Sequence, residues 1–91
     1  MTQYREGKYW VNEDDHSSNK SYTFNGLLHR EDDLPAIEWK SGTKDWYKNG
    51  KLHRLDGPAT ILADGSKYWF IEGIEYSEKE FNRFIDLLGF I

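Results

Sequence analysis

The chain has 91 residues, no cysteine, and 16 acidic against 12 basic side chains, for a formal net charge of −4. A chain of this length holds one domain and excludes a multi-domain enzyme, and without cysteine it has neither a disulfide framework nor a thiolate zinc site, which fits a reducing cytoplasm. The acidic balance is the wrong sign for wrapping nucleic acid, and no apolar run is long enough for a membrane span or a signal core, so a cytoplasmic protein without direct nucleic-acid contact is expected.

In chain order, residues 1–19 read as an N-terminal strand followed by a polar, turn-rich acidic loop from Glu13 to Asn19, expected to be mobile. Residues 20–76 then repeat themselves. Aligning the segment from Asn25-Gly26 with that from Asn49-Gly50 matches Leu28/Leu52, His29/His53, Arg30/Arg54, Asp32/Asp56, Pro35/Pro58, Ala36/Ala59, Gly42/Gly65, Lys44/Lys67 and Trp46/Trp69. The period is 23 to 24 residues, with one extra residue in the first copy near Asp33-Leu34. Composition alone supplies roughly one such match, so the unit is duplicated. Tyr22 stands in the place of Trp46 before the first copy, and Glu72-Gly73 takes the Asn-Gly place after the second.

Each unit is punctuated like a β-hairpin. Asn25-Gly26, Asn49-Gly50 and Asp64-Gly65 favour two-residue type I′ turns, with Ser41-Gly42 a weaker version. Strands are expected over 21–24, 36–40, 44–48, 59–63 and 67–71, where β-branched and aromatic residues gather. With two-residue turns at 41–42 and 64–65, Ile37 faces Trp46 and Thr60 faces Trp69. Both tryptophans then share one sheet face, and Tyr47, Ala36, Phe70 and Ala59 occupy the other. In the final segment, 77–89, Ser77-Glu78-Lys79-Glu80 is a capping box. Phe81, Phe84, Ile85 and Leu88 then recur at helical spacing, and Gly89-Phe90 suits a left-handed cap with its apolar contact. The fold class is therefore mainly β, an antiparallel β-meander of tandem 23–24-residue hairpin repeats with a C-terminal capping α-helix.

Asn49 to Ala59, NGKLHRLDGPA, followed by DGSKYWF at 64–70, resembles tandem repeats in small proteins of tailed phages and giant viruses. Their form is close to W-Y-x-N-G-K-x-H-R-x-D-G-P-A. The unit is more distantly similar to the MORN repeat, whose hairpins stack into an elongated single sheet. The likeness covers about residues 20–81; the first copy departs by losing the glycine and gaining a residue, and the half-unit at Glu72-Gly73 lacks the His-Arg pair. The resemblance implies a viral origin and a scaffold for interactions with no established reaction; with it, the expected location is the cytoplasm of the infected cell, and no cofactor is expected.

Two uses compete for the repeated pairs His29-Arg30 and His53-Arg54. In the scaffold use, each arginine bonds Asp32 or Asp56 or turn carbonyls, and each histidine packs beside a tryptophan. In the ligand use, the pairs line a groove that holds a phosphate or carboxylate. Features repeated at the repeat period serve the fold in most arrays, which favours the first. Catalytic motifs are absent, and Asp14-Asp15-His16 and Asp32-Asp33 lack the spacing of a calcium loop. The expected function is a non-enzymatic interaction protein that binds and modulates a host protein through a sheet edge and an aromatic face, with Trp39, Tyr47 and Tyr68 as candidate contacts. The alternative is sequestration of an anionic small molecule, such as a nucleotide signal, by the His-Arg pairs. The same open edges suit a homo-oligomer.

Overall fold

Two strands precede the repeats in the computed structural model, which describes residues 2–14 and 19–89. β1 (Thr2–Glu6) and β2 (Tyr9–Glu13) join through a two-residue turn in which Gly7 takes φ 58°. The repeats supply β3 (Lys20–Phe24), β4 (Leu27–Leu28), β5 (Ile37–Glu38), β6 (Lys44–Asp45), β7 (Tyr47–Lys48), β8 (Lys51–Leu52), β9 (Thr60–Ile61), β10 (Lys67–Ile71) and β11 (Ile74–Tyr76). A helix, α1 (Glu78–Leu88), ends the described chain. All pairings are antiparallel, in the order β1-β2-β3-β5-β6-β9-β10-β11, with β4 on β3 and β7-β8 a separate pair. The meander with a C-terminal helix is thus the architecture, drawn out to 43 × 29 × 17 Å. The acidic loop's residues 15–18 lie outside the described set, and Asp14 N–H bonds Asn19 O across it at 2.9 Å.

The unit's long strands fork. The first half of β3 pairs with β5 and its second half with β4, and β10 divides the same way between β9 and β11. Between them the strand breaks at Trp46, so that Lys44–Asp45 pairs in the large sheet and Tyr47–Lys48 forms the separate hairpin with β8. Type I′ geometry holds at the hairpin tips, where Asn25 and Gly26 have φ 53° and 78° and Asn49 and Gly50 have 51° and 82°. Glu72-Gly73 copies it at 50° and 82°.

The loops at 41–42 and 64–65 correct the expected register. Each is a three-residue connection with glycine at the left-handed third position: Trp39 N–H bonds Thr43 O, and Leu62 N–H bonds Ser66 O, at 2.9 and 2.8 Å. Gly42 and Gly65 take φ 102° and 93°, whereas Ser41 and Asp64 have ordinary negative φ. The extra residue moves the ladder by one, placing Ile37 opposite Asp45 and Thr60 opposite Tyr68. The expected pairs Ile37–Trp46 and Thr60–Trp69 are therefore not formed. A one-residue slip exchanges faces: Ile37 and Thr60 leave the side of the tryptophans, while Trp46 and Trp69, each one residue beyond Asp45 and Tyr68, still share a face.

The core consists of Val11, Tyr22, Ala36, Trp46, Ala59, Ile71 and Phe81. Tyr22 and Trp46 are equivalent and buried, as the repeat requires, while Trp69 in the final copy is only half-buried. At α1, Ser77 Oγ accepts from Glu80 N–H and Glu80 Oε1 accepts from Ser77 N–H, at 3.1 and 2.9 Å, completing the capping box. Docking is narrower than the helical stripe suggests: Phe81 is buried and Phe84 stacks on Tyr76 at 6.5 Å, but Leu87 and Leu88 are exposed. Gly89 has φ −67°, so the helix ends in right-handed geometry and not in the left-handed cap; Phe90 lies outside the described residues.

Candidate functional site

The loops that carry the His-Arg pairs leave each hairpin immediately after its second strand. His29 follows Leu28, and both reach the next hairpin tip: Leu28 O accepts from Gly50 N–H at 2.8 Å, and His29 Nδ1 accepts from Asn49 N–H at 3.0 Å. The next unit repeats the arrangement, with Leu52 O accepting from Gly73 N–H and His53 Nδ1 from Glu72 N–H at 2.8 and 3.0 Å. Each histidine therefore latches one repeat to the turn of the next. Accepting through Nδ1 requires a neutral ring with its proton on Nε2. Burial first, and then Lys8 and Lys48, hold His29 below the usual histidine range; burial and Lys48 do the same to His53 against the opposing Glu72. The rings do not pack on tryptophan as expected; His29 lies 5.8 Å from Phe24.

Arginine takes the aromatic contact. The Arg30 guanidinium lies 3.7 Å from the Tyr22 ring centre, and that of Arg54 lies 3.9 Å from Trp46. Each Nη1 also donates to the carbonyl of its own loop's proline, Pro35 or Pro58, at 3.1 Å. The turn-carbonyl contact is thus present, but the expected carboxylate partners are replaced. Arg30 pairs with Glu38 at 3.1 Å, and Arg54 makes a two-point bond to Asp33, Nε to Oδ1 at 2.7 Å and Nη2 to Oδ2 at 3.0 Å. Asp33 sits at the extra residue of the first copy, in a type I′ turn with Asp32 at φ 62° and itself at 57°, closed by Leu34 N–H to Glu31 O. Its carbonyl accepts from Trp46 Nε1 at 3.0 Å. The bond from Arg54 lowers the Asp33 carboxyl below its usual range. Asp33 was legible only as an insertion, and its partner lies 21 residues away. Gly57 has a local reason: a Cβ there would meet Arg54 Nη1 at 3.3 Å.

Between the two loops runs a groove of about 400 Å³, bordered by Arg30, Asp33, Trp46, His53, Arg54 and Asp56. It brings together three of the four residues proposed as anion ligands, Arg30, His53 and Arg54; His29 is buried away from it at 5% exposure. Both guanidinium groups already carry carboxylates, and Asp32 and Asp56 add negative charge without an ion pair among the described residues. The groove is built as an interlock between repeats.

The opposite face of the sheet has different chemistry. Residues directly across a ladder share a face, so the register sets Asn12, Ser21, Ile37, Asp45, Thr60 and Tyr68 in one row. Trp10 and Trp39 stand two residues from this row on the same face, and Trp10, Trp39 and Tyr68 are 41–42% exposed. Trp39 is held in place: its Nε1 donates to Asp45 Oδ2 at 2.7 Å, while Thr60 Oγ1 donates to Asp45 Oδ1 at 2.8 Å. Beside it Leu28 and Ile37 floor a shallow apolar notch of about 250 Å³. Tyr47, the third proposed aromatic, belongs to the separate hairpin, opposite Leu52, and is half-buried, its carbonyl accepting from Arg30 N–H at 3.3 Å.

Among the described residues no cluster of three or more His, Cys, Asp or Glu is arranged to hold a metal, and no helix is long and apolar enough to cross a membrane. Asp15 and His16 lie outside the described residues. Comparison of the chain with family models, curated proteins and solved structures finds no match.

Proposed function

We propose that this is a non-enzymatic, virus-encoded interaction protein that binds and modulates a host protein through its aromatic sheet face. The observation that carries the reading is the position of Trp10, Trp39 and Tyr68 on one face of the sheet, all exposed, with the Trp39 indole fixed by Asp45. Large aromatics with little rotamer freedom to lose are the usual anchors of protein interfaces. The apolar notch of Leu28 and Ile37 beside Trp39 offers a place for a partner's side chain. The viral origin and the host partner rest on the resemblance of the NGKLHRLDGPA unit. Sequestration of an anion has less support, because Arg30 and Arg54 are already paired with Glu38 and Asp33.

The test is affinity capture from infected cells with the wild type and a Trp39→Ala/Tyr68→Ala variant that retains the wild-type circular dichroism. A host protein held by the wild type and lost by the variant is the expected result. An identical set of captured proteins with both overturns the assignment of the face.

A further inference from the structure

Among the described residues β1 is an edge of the sheet, and the register of its hairpin fixes which of its backbone groups turn outward. The two-residue turn at Gly7-Lys8 makes Glu6 and Tyr9 the closing hydrogen-bonded pair of the hairpin. Alternation then turns the N–H and C=O of Tyr4 toward β2 and those of Gln3 and Arg5 away from it. The next strands obey the same alternation: Tyr22, opposite Val11, turns from β2 to donate to Ala36 O at 2.7 Å and accept from His29 N–H at 3.1 Å. Among the described residues no strand lies on the outer side of β1. The other end of the array differs, since β11 leads into α1, which returns to bury Phe81 and stack Phe84 on Tyr76. An array buries its terminal units by capping them, and only one end here has such a cap among the described residues.

We infer that β1 pairs with β1 of a second copy, antiparallel and across a two-fold axis normal to the sheet at Tyr4. An axis in that direction keeps each face continuous, so opposed residues must come from the same face, and three centres are available. Centring on Arg5 sets Arg5 against Arg5 of the partner subunit, a like-charge opposition. Centring on Gln3 opposes Thr2 to Tyr4 of the partner subunit, pairs only the outward groups of Gln3 with themselves, and carries Arg5 past Thr2 of the partner subunit. Centring on Tyr4 matches Gln3 with Arg5 of the partner subunit and the reverse, engaging the outward N–H and C=O of both residues in both copies. It also sets Thr2 opposite Glu6 of the partner subunit, so no like charges meet. The contact is isologous and closes at two copies, whereas pairing β1 with β11 of another copy would not close and would grow filaments. The dimer joins two aromatic faces into one surface, with Trp10 of each copy near the seam.

Sedimentation equilibrium up to millimolar concentration is expected to show a reversible species of twice 10.8 kDa. Gln3→Glu places a carboxylate opposite Arg5 of the partner subunit twice per dimer and should tighten association, roughly 2- to 30-fold. Gln3→Lys opposes like charges and should weaken it by a similar factor. Gln3→Pro removes a donor that the monomer's own ladder does not use, so it should abolish the dimer; amide spectra of β2 to β11 check that the rest of the sheet is intact. A monomer at all concentrations overturns the inference. So do equal affinities for Gln3→Glu and Gln3→Lys, or species that keep growing beyond two copies.

Discussion

Asp33, the residue by which the first repeat exceeds the second, reaches across to Arg54 of that second repeat and binds it at two points, 2.7 and 3.0 Å apart from its partners. Its carbonyl holds Trp46 Nε1 at the same time. One inserted residue thus fastens both the guanidinium and the indole beneath it. Glu38 serves Arg30 from within its own unit, and the equivalent place in the second unit is Ile61, which offers no carboxylate. The insertion supplies from the neighbour what the second copy lacks.

Substitution should separate this pair from its neighbour in sequence. Asp33→Asn keeps the shape but loses the charge, and because the carboxylate is partly exposed the expected cost is about 1 kcal/mol. Arg54→Lys loses the planar fork, the ring contact and the bond to Pro58 O, for about 1–3 kcal/mol. Asp56→Asn should be neutral within about 0.5 kcal/mol. Urea unfolding of the three variants is the measurement, and a cost for Asp56→Asn exceeding that for Asp33→Asn contradicts the pairing.

The two equivalent tryptophans should differ in weight. Trp46 is buried under Arg54, so Trp46→Ala is expected to cost about 3–5 kcal/mol. Trp69 is half-buried, and among the described residues no guanidinium covers it, so Trp69→Ala should cost less, about 1–3 kcal/mol. Thermal or denaturant unfolding that ranks them in the reverse order would mean that the final unit, and not the middle one, anchors the sheet.

Acid should undo the repeat latches before it undoes the ion pair. Burial depresses both histidines in the folded state, so the unfolded chain takes up protons first as pH falls. Their stabilisation is fully present above about pH 6.5, the unfolded value, and is lost as pH drops toward the folded values. Asp33, also depressed, contributes above about pH 3.9 and loses its share only as pH falls through its lower folded value. Stability measured at about pH 8 and about pH 5 should fall for the wild type and change less for His29→Gln/His53→Gln. An equal fall in both would place the sensitive group elsewhere.

The terminal helix should depend on one side chain. Phe81→Ala is expected to cost about 3–5 kcal/mol, whereas Leu87→Ala, at a position 61% exposed, should stay within about 0.5 kcal/mol. Removing residues 77–91 uncovers the ground under Phe81 beside β10 and β11 and should cause aggregation, read by light scattering. A truncated chain that stays monomeric with unchanged amide spectra for residues 20–70 would make the helix an independent appendage.

The local features were legible in the residues themselves: the period, the Asn-Gly tips, the capping box of Ser77 and Glu80, and the equivalence of Tyr22 with Trp46 each depend on a few neighbours and carry residue types that few other conformations accept. What escaped was decided by distance. A glycine after serine or aspartate fits a two-residue turn or the third place of a three-residue loop equally well, and only the pairing of whole strands chose the latter and moved Asp45, not Trp46, opposite Ile37. The His-Arg pairs announced that they mattered by recurring, but sequence spacing pointed to Asp32 and Asp56, two residues away. Folding over the sheet brought Glu38 and Asp33 to the arginines instead, and put the amides of Asn49 and Glu72 against the histidines, because a buried donor or acceptor bonds whatever the tertiary path lays beside it.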